Sequence, residues 1–336
     1  MKYDRVVRYV LSTPWAMRPE ALGALLDVLA YRACGGRFAD EEIAERVADT
    51  VSRRDAARRR AGSRGSVAVL PLYGSIFPRA NLFTEFSGGT SLDQWGSTFR
   101  RLDADPKVSH IVLDVASPGG SVELVPETAD LVRNARTPVT AVANAEAASA
   151  AYWIAAQADE LVVTPSGAVG SIGVWAAHED WSRHVRNQGV ETTLISAGRY
   201  KTEGNPWEPL SSEARDAIQA DVDEFYRMFT EAVAVGRGVS QQVAAGERFG
   251  EGRMVLAADA VRRGMADRVA TLADVVNELA SGAGKPQVVA DDPTPTVEAS
   301  PSAEAEAEPA PVMVPGAERL LRRRAVREGA LSVFDR

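Results

Sequence analysis

The chain has little of what disulfide-built, metal-built or membrane-spanning proteins require. Its 336 residues include one cysteine, Cys34. No intrachain disulfide can form, and the chain fits a reducing compartment. The three histidines, His110, His178 and His184, are scattered. With a single cysteine they make a Cys/His zinc site improbable, and no metal or cofactor is expected. Long apolar runs are also missing. Residues 21–30 are interrupted by Asp27, and residues 139–156 contain Asn144, Glu146 and Ser149, whereas a membrane span needs about 20 apolar residues. The first fifteen residues carry Asp4, Arg5 and Arg8 without a continuous apolar stretch, unlike a secretory signal. Positive charge is in deficit: 38 basic against 46 acidic residues give a net charge of −8. This argues against a generic nucleic-acid binder, which carries a basic surface. What is present, 45% hydrophobic and 25% charged residues, is an ordinary globular balance.

Composition divides the chain into five regions. Residues 1–50 read as helical. Pro19-Glu20 opens a helix with Leu22, Leu25, Leu26 and Leu29 on one face, Gly35-Gly36 ends it, and Asp40 caps a second helix carrying Ile43 and Val47. Residues 51–66 form an arginine-rich linker. The body, 67–280, alternates apolar runs with amphipathic stretches. Strands are expected at 67–72, 111–115, 139–142, 161–163, 172–175 and 192–195. Helices are expected at 91–102, 122–135, 149–157, 178–188 and 213–235. Such alternation predicts an α/β fold of repeated βαβ units with a mainly parallel sheet. Residues 281–316, rich in Pro, Ala and Glu, read as a disordered linker. A basic segment, 317–336, follows.

Four stretches of the body could carry chemistry. Ser117-Pro118-Gly119-Gly120-Ser121 ends a strand in a tight turn, and its glycines free amides to face a substrate. Ala147-Ala148-Ser149-Ala150-Ala151-Tyr152 leads from a strand into a helix, placing Ser149 where a nucleophile elbow holds its serine. Read alone, Ser149 fits a helix cap at least as well. Val169-Gly170-Ser171-Ile172-Gly173-Val174 and Gly198-Arg199-Tyr200-Lys201-Thr202 complete the set. Taken singly, these last two are turn chemistry and a solvated lysine.

Together, in this order and spacing, the four motifs resemble the signal peptide peptidase A family of serine proteases, whose fold is shared with Clp protease and crotonase. Residues 253–254 and 264–267 resemble the family's closing segment. The resemblance covers 67 to about 275. It implies a serine endopeptidase with a Ser-Lys dyad: Ser149 as nucleophile, Lys201 as general base, and Ser171 as the accessory serine that orients the lysine. Gly120 and Ala150 would supply oxyanion-hole amides, with Gly119 permitting the turn. Ala150 departs from the family's more usual glycine, but its amide donates equally well. A solvated lysine is protonated at neutral pH, so Lys201 is expected in a partly dry pocket, held by Ser171.

The N-terminal segment around Tyr9-Val10-Leu11-Ser12-Thr13-Pro14-Trp15 resembles phage-encoded members, which are head-maturation (prohead) proteases or minor capsid proteins. That implies polypeptide substrates among scaffold, capsid and portal proteins, a homo-oligomeric ring, no nucleic-acid partner and no membrane anchor. The implied location is the host cytoplasm, inside the prohead, with 317–336 as a docking tail. Other readings stay open: a cellular peptidase degrading signal peptides, a catalytically inactive capsid-assembly protein, or a crotonase-type acyl-CoA enzyme. A Ser-His-Asp triad would need His178 or His184, which read as solvent-facing on a charged helix. His110 reads as a strand-edge residue.

Overall fold

The computed structural model describes residues 13–23, 26, 66–80 and 89–282. The expectations for 27–65 and 283–336, namely the second N-terminal helix, the arginine-rich linker, the Pro/Ala/Glu linker and the basic tail, lie outside the described residues.

The body is built on a mainly parallel sheet. Its strands are β2 (Ser66–Tyr73), β5 (Val108–Ser117), β7 (Val139–Ala148), β8 (Glu160–Val163), β9 (Ala168–Gly170), β10 (Met254–Leu256) and β11 (Arg268–Val269). The main path runs β10-β9-β7-β5-β2, with β8 beside β7 and β11 beside β8. Only β10, paired with β9, runs antiparallel. The α/β, mainly parallel architecture expected from the sequence is the one observed. Ile111, Val112, Leu113 and Val115 on β5 and Ala141, Val142 and Ala143 on β7 are fully buried. Burial on both faces explains why these strands read as continuous apolar runs rather than alternating ones.

Helices cover both faces. Trp95 and Phe99 of helix Leu92–Ala104 stack at 5.4 Å. Trp153 of helix Ala150–Ala155 stacks on Phe229 of helix Ser212–Arg237 at 4.6 Å, with the rings 7° from parallel. The small residues that follow Trp153 let the long helix come close: a Cβ on Gly236 would lie 2.2 Å from the Ala156 carbonyl oxygen. The long helix ends beside a buried ion pair. Arg237, its side chain fully buried, makes two bonds to Asp267, at 2.8 and 3.0 Å. Asp267 also accepts from the Leu161 amide at 2.7 Å, tying the closing segment to β8.

A second, four-stranded sheet crowns the site. Its order is β1 (Trp15–Met17), β6 (Gly119–Ser121), β3 (Ile76–Phe77), β4 (Thr90–Ser91).

Several sequence expectations need correction. Residues 172–175 and 192–195 are not strands. The first makes a single bridge through Trp175, and the second is irregular and mostly exposed. The helix expected at 178–188 is confined to Ser182–Asn187. The turn at Pro118 leads into β6, not into a helix, and the following helix begins at Val125. His110 lies within β5, between β2 and β7, and its Nε2 is 3.0 Å from Thr140 Oγ1. The helix expected to open at Pro19 is present over the described residues 19–23, with Leu22 buried. Among the described residues, no helix is long and apolar enough to cross a membrane.

Candidate active site

The site forms where the carboxyl ends of β5, β7 and β9 meet, the usual place for ligands in open α/β sheets. Strand β7 changes partner on the way. Thr140 to Ala143 pair with β8, whereas Glu146 to Ala148 pair with β9. Between them Ala145 adopts φ 102°. This bend carries the end of β7 away from β8 and delivers Ser149 between the segments that follow β5 and β9.

Ser149 occupies the N-cap position of helix Ala150–Ala155 with φ 54° and ψ −119°. A non-glycine residue in such backbone costs about 1–3 kcal/mol and persists only where its surroundings impose it. The surroundings are visible: its amide donates to the Gly170 carbonyl at 2.7 Å, and its own carbonyl accepts from Trp153 at 2.9 Å. A capping role for the hydroxyl is excluded, because the side chain makes no cap bond. Instead Ser149 Oγ donates to the Gly173 carbonyl at 3.4 Å. The residue is 1% exposed.

The glycine pair packs directly against it. A Cβ on Gly119, whose φ is 97°, would lie 3.0 Å from Ser149 Cβ and 2.2 Å from the Ala16 carbonyl oxygen. A Cβ on Gly120 would lie 1.9 Å from the Ile76 carbonyl oxygen. Only glycine fits either position. Ser171 follows Gly170 with φ 53°, and its amide donates to the Arg253 carbonyl at 3.0 Å. The structure thus places Ser149, Gly119, Gly120, Ala150 and Ser171 in adjoining segments.

Lys201 differs from expectation. It sits in a turn closed by its amide donating to Gly198 at 3.1 Å. Its neighbours are tethered to Glu213, which accepts from Arg199 at 2.9 Å and from Tyr200 at 3.1 Å. The Lys201 side chain is exposed and has no hydrogen-bond or ion-pair partner among the described residues. Residues 190–204 form no strand or helix, and the dry pocket expected for Lys201 is not formed among the described residues. The histidines do not take its place. His178 Nε2 lies 3.1 Å from the Asn205 carbonyl, and His184 Nε2 lies 2.9 Å from Gln188 Nε2.

Sequence reasoning placed Gly173 and Arg253 within motifs but gave neither a role. Gly173, through its carbonyl, and Arg253, through its carbonyl, act by backbone atoms that no side-chain motif announces. Trp15 to Met17 form a strand that the N-terminal helical reading absorbed.

A strained, buried serine at the carboxyl edge of a parallel sheet, flanked by a Gly-Gly strand, has the form of a serine-hydrolase site. Residues 132–285 match the model of Peptidase family S49. The chain is 33% identical over 217 residues to the head-tail preconnector protein GP5 of Enterobacteria phage P21, covering 64% of this chain and 43% of that protein. It is 32% identical over 215 residues to the capsid assembly protease C of Escherichia phage lambda, covering 63% and 48%. The chain therefore spans less than half the length of these two relatives. Among solved structures it is similar to a membrane-bound stomatin-specific protease, 1510-N S97A mutant. That match has a TM-score of 0.42 and 15% identity, and covers 65% of this chain and 86% of that one.

Proposed function

We propose that the chain is a serine endopeptidase in which Ser149 is the nucleophile and Lys201 the general base. The observation that carries this reading is the backbone of Ser149, held at positive φ beside Gly119 and freed from helix capping. Attack by Ser149 Oγ on a peptide carbonyl gives a tetrahedral intermediate whose oxyanion accepts from the amides of Gly120 and Ala150. The serine proton passes to Lys201 and then to the leaving amine, and water hydrolyses the acyl-enzyme. Ser171 orients the lysine.

Lys201 reaches Ser149 when copies of the chain assemble. Support comes from the surface around it: Ile195 is 94% exposed, Val190 53% and Tyr200 51%. Such apolar groups on one segment mark a surface suited to being covered. Covering it strips water from the lysine, the condition under which an amine serves as a base. The substrates in this reading are capsid-assembly proteins inside a phage prohead, in line with the similarity to the capsid assembly protease C of phage lambda.

The exposed Lys201 also favours a second reading, a capsid-assembly protein that has the fold without the reaction. Labelling with a fluorophosphonate, together with cleavage of an unfolded polypeptide, separates the two. The wild type should label, and Ser149→Ala and Lys201→Ala should each lose about a thousandfold or more of kcat/KM. An unlabelled wild type favours the inactive platform. Activity surviving in Lys201→Ala but lost in His178→Ala reassigns the base.

A further inference from the structure

The segment that crosses the site belongs to the chain itself. Strand β1 pairs antiparallel with β6 in the register Trp15↔Ser121, Ala16↔Gly120, Met17↔Gly119. The Arg18 amide donates to the Pro118 carbonyl at 3.2 Å, and the Val122 amide donates to the Pro14 carbonyl at 3.3 Å. In an antiparallel ladder, hydrogen-bonded pairs alternate with non-bonded ones. These two bonds therefore make Ala16 and Gly120 the bonded pair between them. The amide of Gly120 faces the carbonyl of Ala16, and the Gly119 geometry sets that same oxygen on the side of Ser149.

The other edge of β1 is also taken. Trp15 and Trp175 exchange both backbone bonds, at 2.8 and 3.0 Å, and Trp175 Nε1 donates to the Met17 carbonyl at 2.8 Å. The strand is thus inserted between the segment carrying the glycine pair and the segment that follows Ser171. Trp15, Ala16 and Met17 are buried, and Trp15 meets Phe77 edge-on at 6.4 Å. This is how an extended peptide adds to a sheet edge when it is recognised as substrate.

We propose that residues 14–18 are a built-in substrate strand, aligned for cleavage between Ala16 and Met17 by Ser149. The inference rests on the reading of Ser149 as nucleophile. In the step, Ser149 Oγ bonds to the Ala16 carbonyl carbon and the Ala16–Met17 C–N bond breaks. The serine proton moves through the base to the Met17 amine. Water then adds hydroxyl to the acyl carbon, releases Ala16 as a carboxylate and returns a proton to Ser149. Until that cut, β1 fills the groove that another polypeptide must enter, so the uncut chain is latent.

The full chain is purified and followed by intact mass and N-terminal sequencing, with β-casein as an external substrate in parallel. The wild type should lose residues 1–16 and acquire Met17 as its new N-terminus. The loss should be absent in Ser149→Ala and in wild type blocked by a fluorophosphonate, which guards against misfolding of the variant. β-Casein cleavage should rise as the new terminus accumulates. A wild type that degrades β-casein while the Ala16–Met17 bond stays intact overturns the self-cleavage and leaves the Ser149 reading standing. Cutting at another bond, or cutting that persists in Ser149→Ala, overturns it as well. If neither β-casein nor the chain is cut, the reading of Ser149 fails and the self-cleavage fails with it.

Discussion

Replacing Asp267 by alanine strands a charge in the core. Arg237 has no exposed side-chain surface, and two of its bonds end on this carboxylate. With Asp267 gone, the guanidinium retains only the Gly264 carbonyl, at 3.1 Å, among the described residues. Breaking one side of such a buried pair costs about 3–5 kcal/mol. At about 2–4 °C per kcal/mol for a folded body of this size, the melting temperature should fall by roughly 6–20 °C. The control is the double variant Arg237→Met/Asp267→Leu, which removes both charges and keeps the volume. It should recover most of the loss and remain within about 1–3 kcal/mol of wild type, because the Leu161 amide still lacks its acceptor. Calorimetry or circular dichroism of the three proteins gives the answer. A single variant melting within about 2 °C of wild type, or a double variant worse than the single, would show that the pair is not what holds the closing segment.

Two further outcomes follow from the site and the sheet. Gly120→Ala drives a methyl group into the Ile76 backbone, so β6 must shift away from β3. Fluorophosphonate labelling of Ser149 should be lost, while an alanine at Gly23, where a Cβ meets nothing within 4 Å, should leave labelling intact. His110 provides a pH signature. Burial holds its imidazolium below the usual histidine range, partly offset by Asp159 and Glu160. The unfolded chain therefore binds the proton first. Its contribution to stability is full above the ordinary value and declines as pH falls from about 6.5 toward the folded value. His110→Gln should flatten that part of the profile when melting is followed from about pH 7.5 to about pH 5.

Most of the sheet was legible because burial on two faces writes itself as apolar runs. Val139 to Val142 and Leu161 to Val163 needed no tertiary information. Ser149 was legible only through its company, since a serine before a helix has a commoner use. The structure removes that use by leaving its side chain out of the cap. Residues 172–175 misled because Ile172 and Val174 carry β propensity, yet here they pack with the core and the segment pairs only at Trp175. The short β1 was hidden for the opposite reason. Trp15, Ala16 and Met17 suit a helix as well as a strand, and their pairing with residues about a hundred positions away leaves no local mark. For Lys201, the motif marks the residue, but its exposed place in a turn is not written in the local sequence.

The amide of Leu161 finds its acceptor on Asp267, 106 residues further along the chain. At about 5–20 residues per second on the ribosome, that acceptor is made some 5–20 seconds later. A nascent chain that has already made the serine, both glycines and the lysine still lacks the clasp for β8. The last-made part of the body thus acts as a timer, withholding a completed fold from the crowded mouth of the ribosome until synthesis of the body is nearly over.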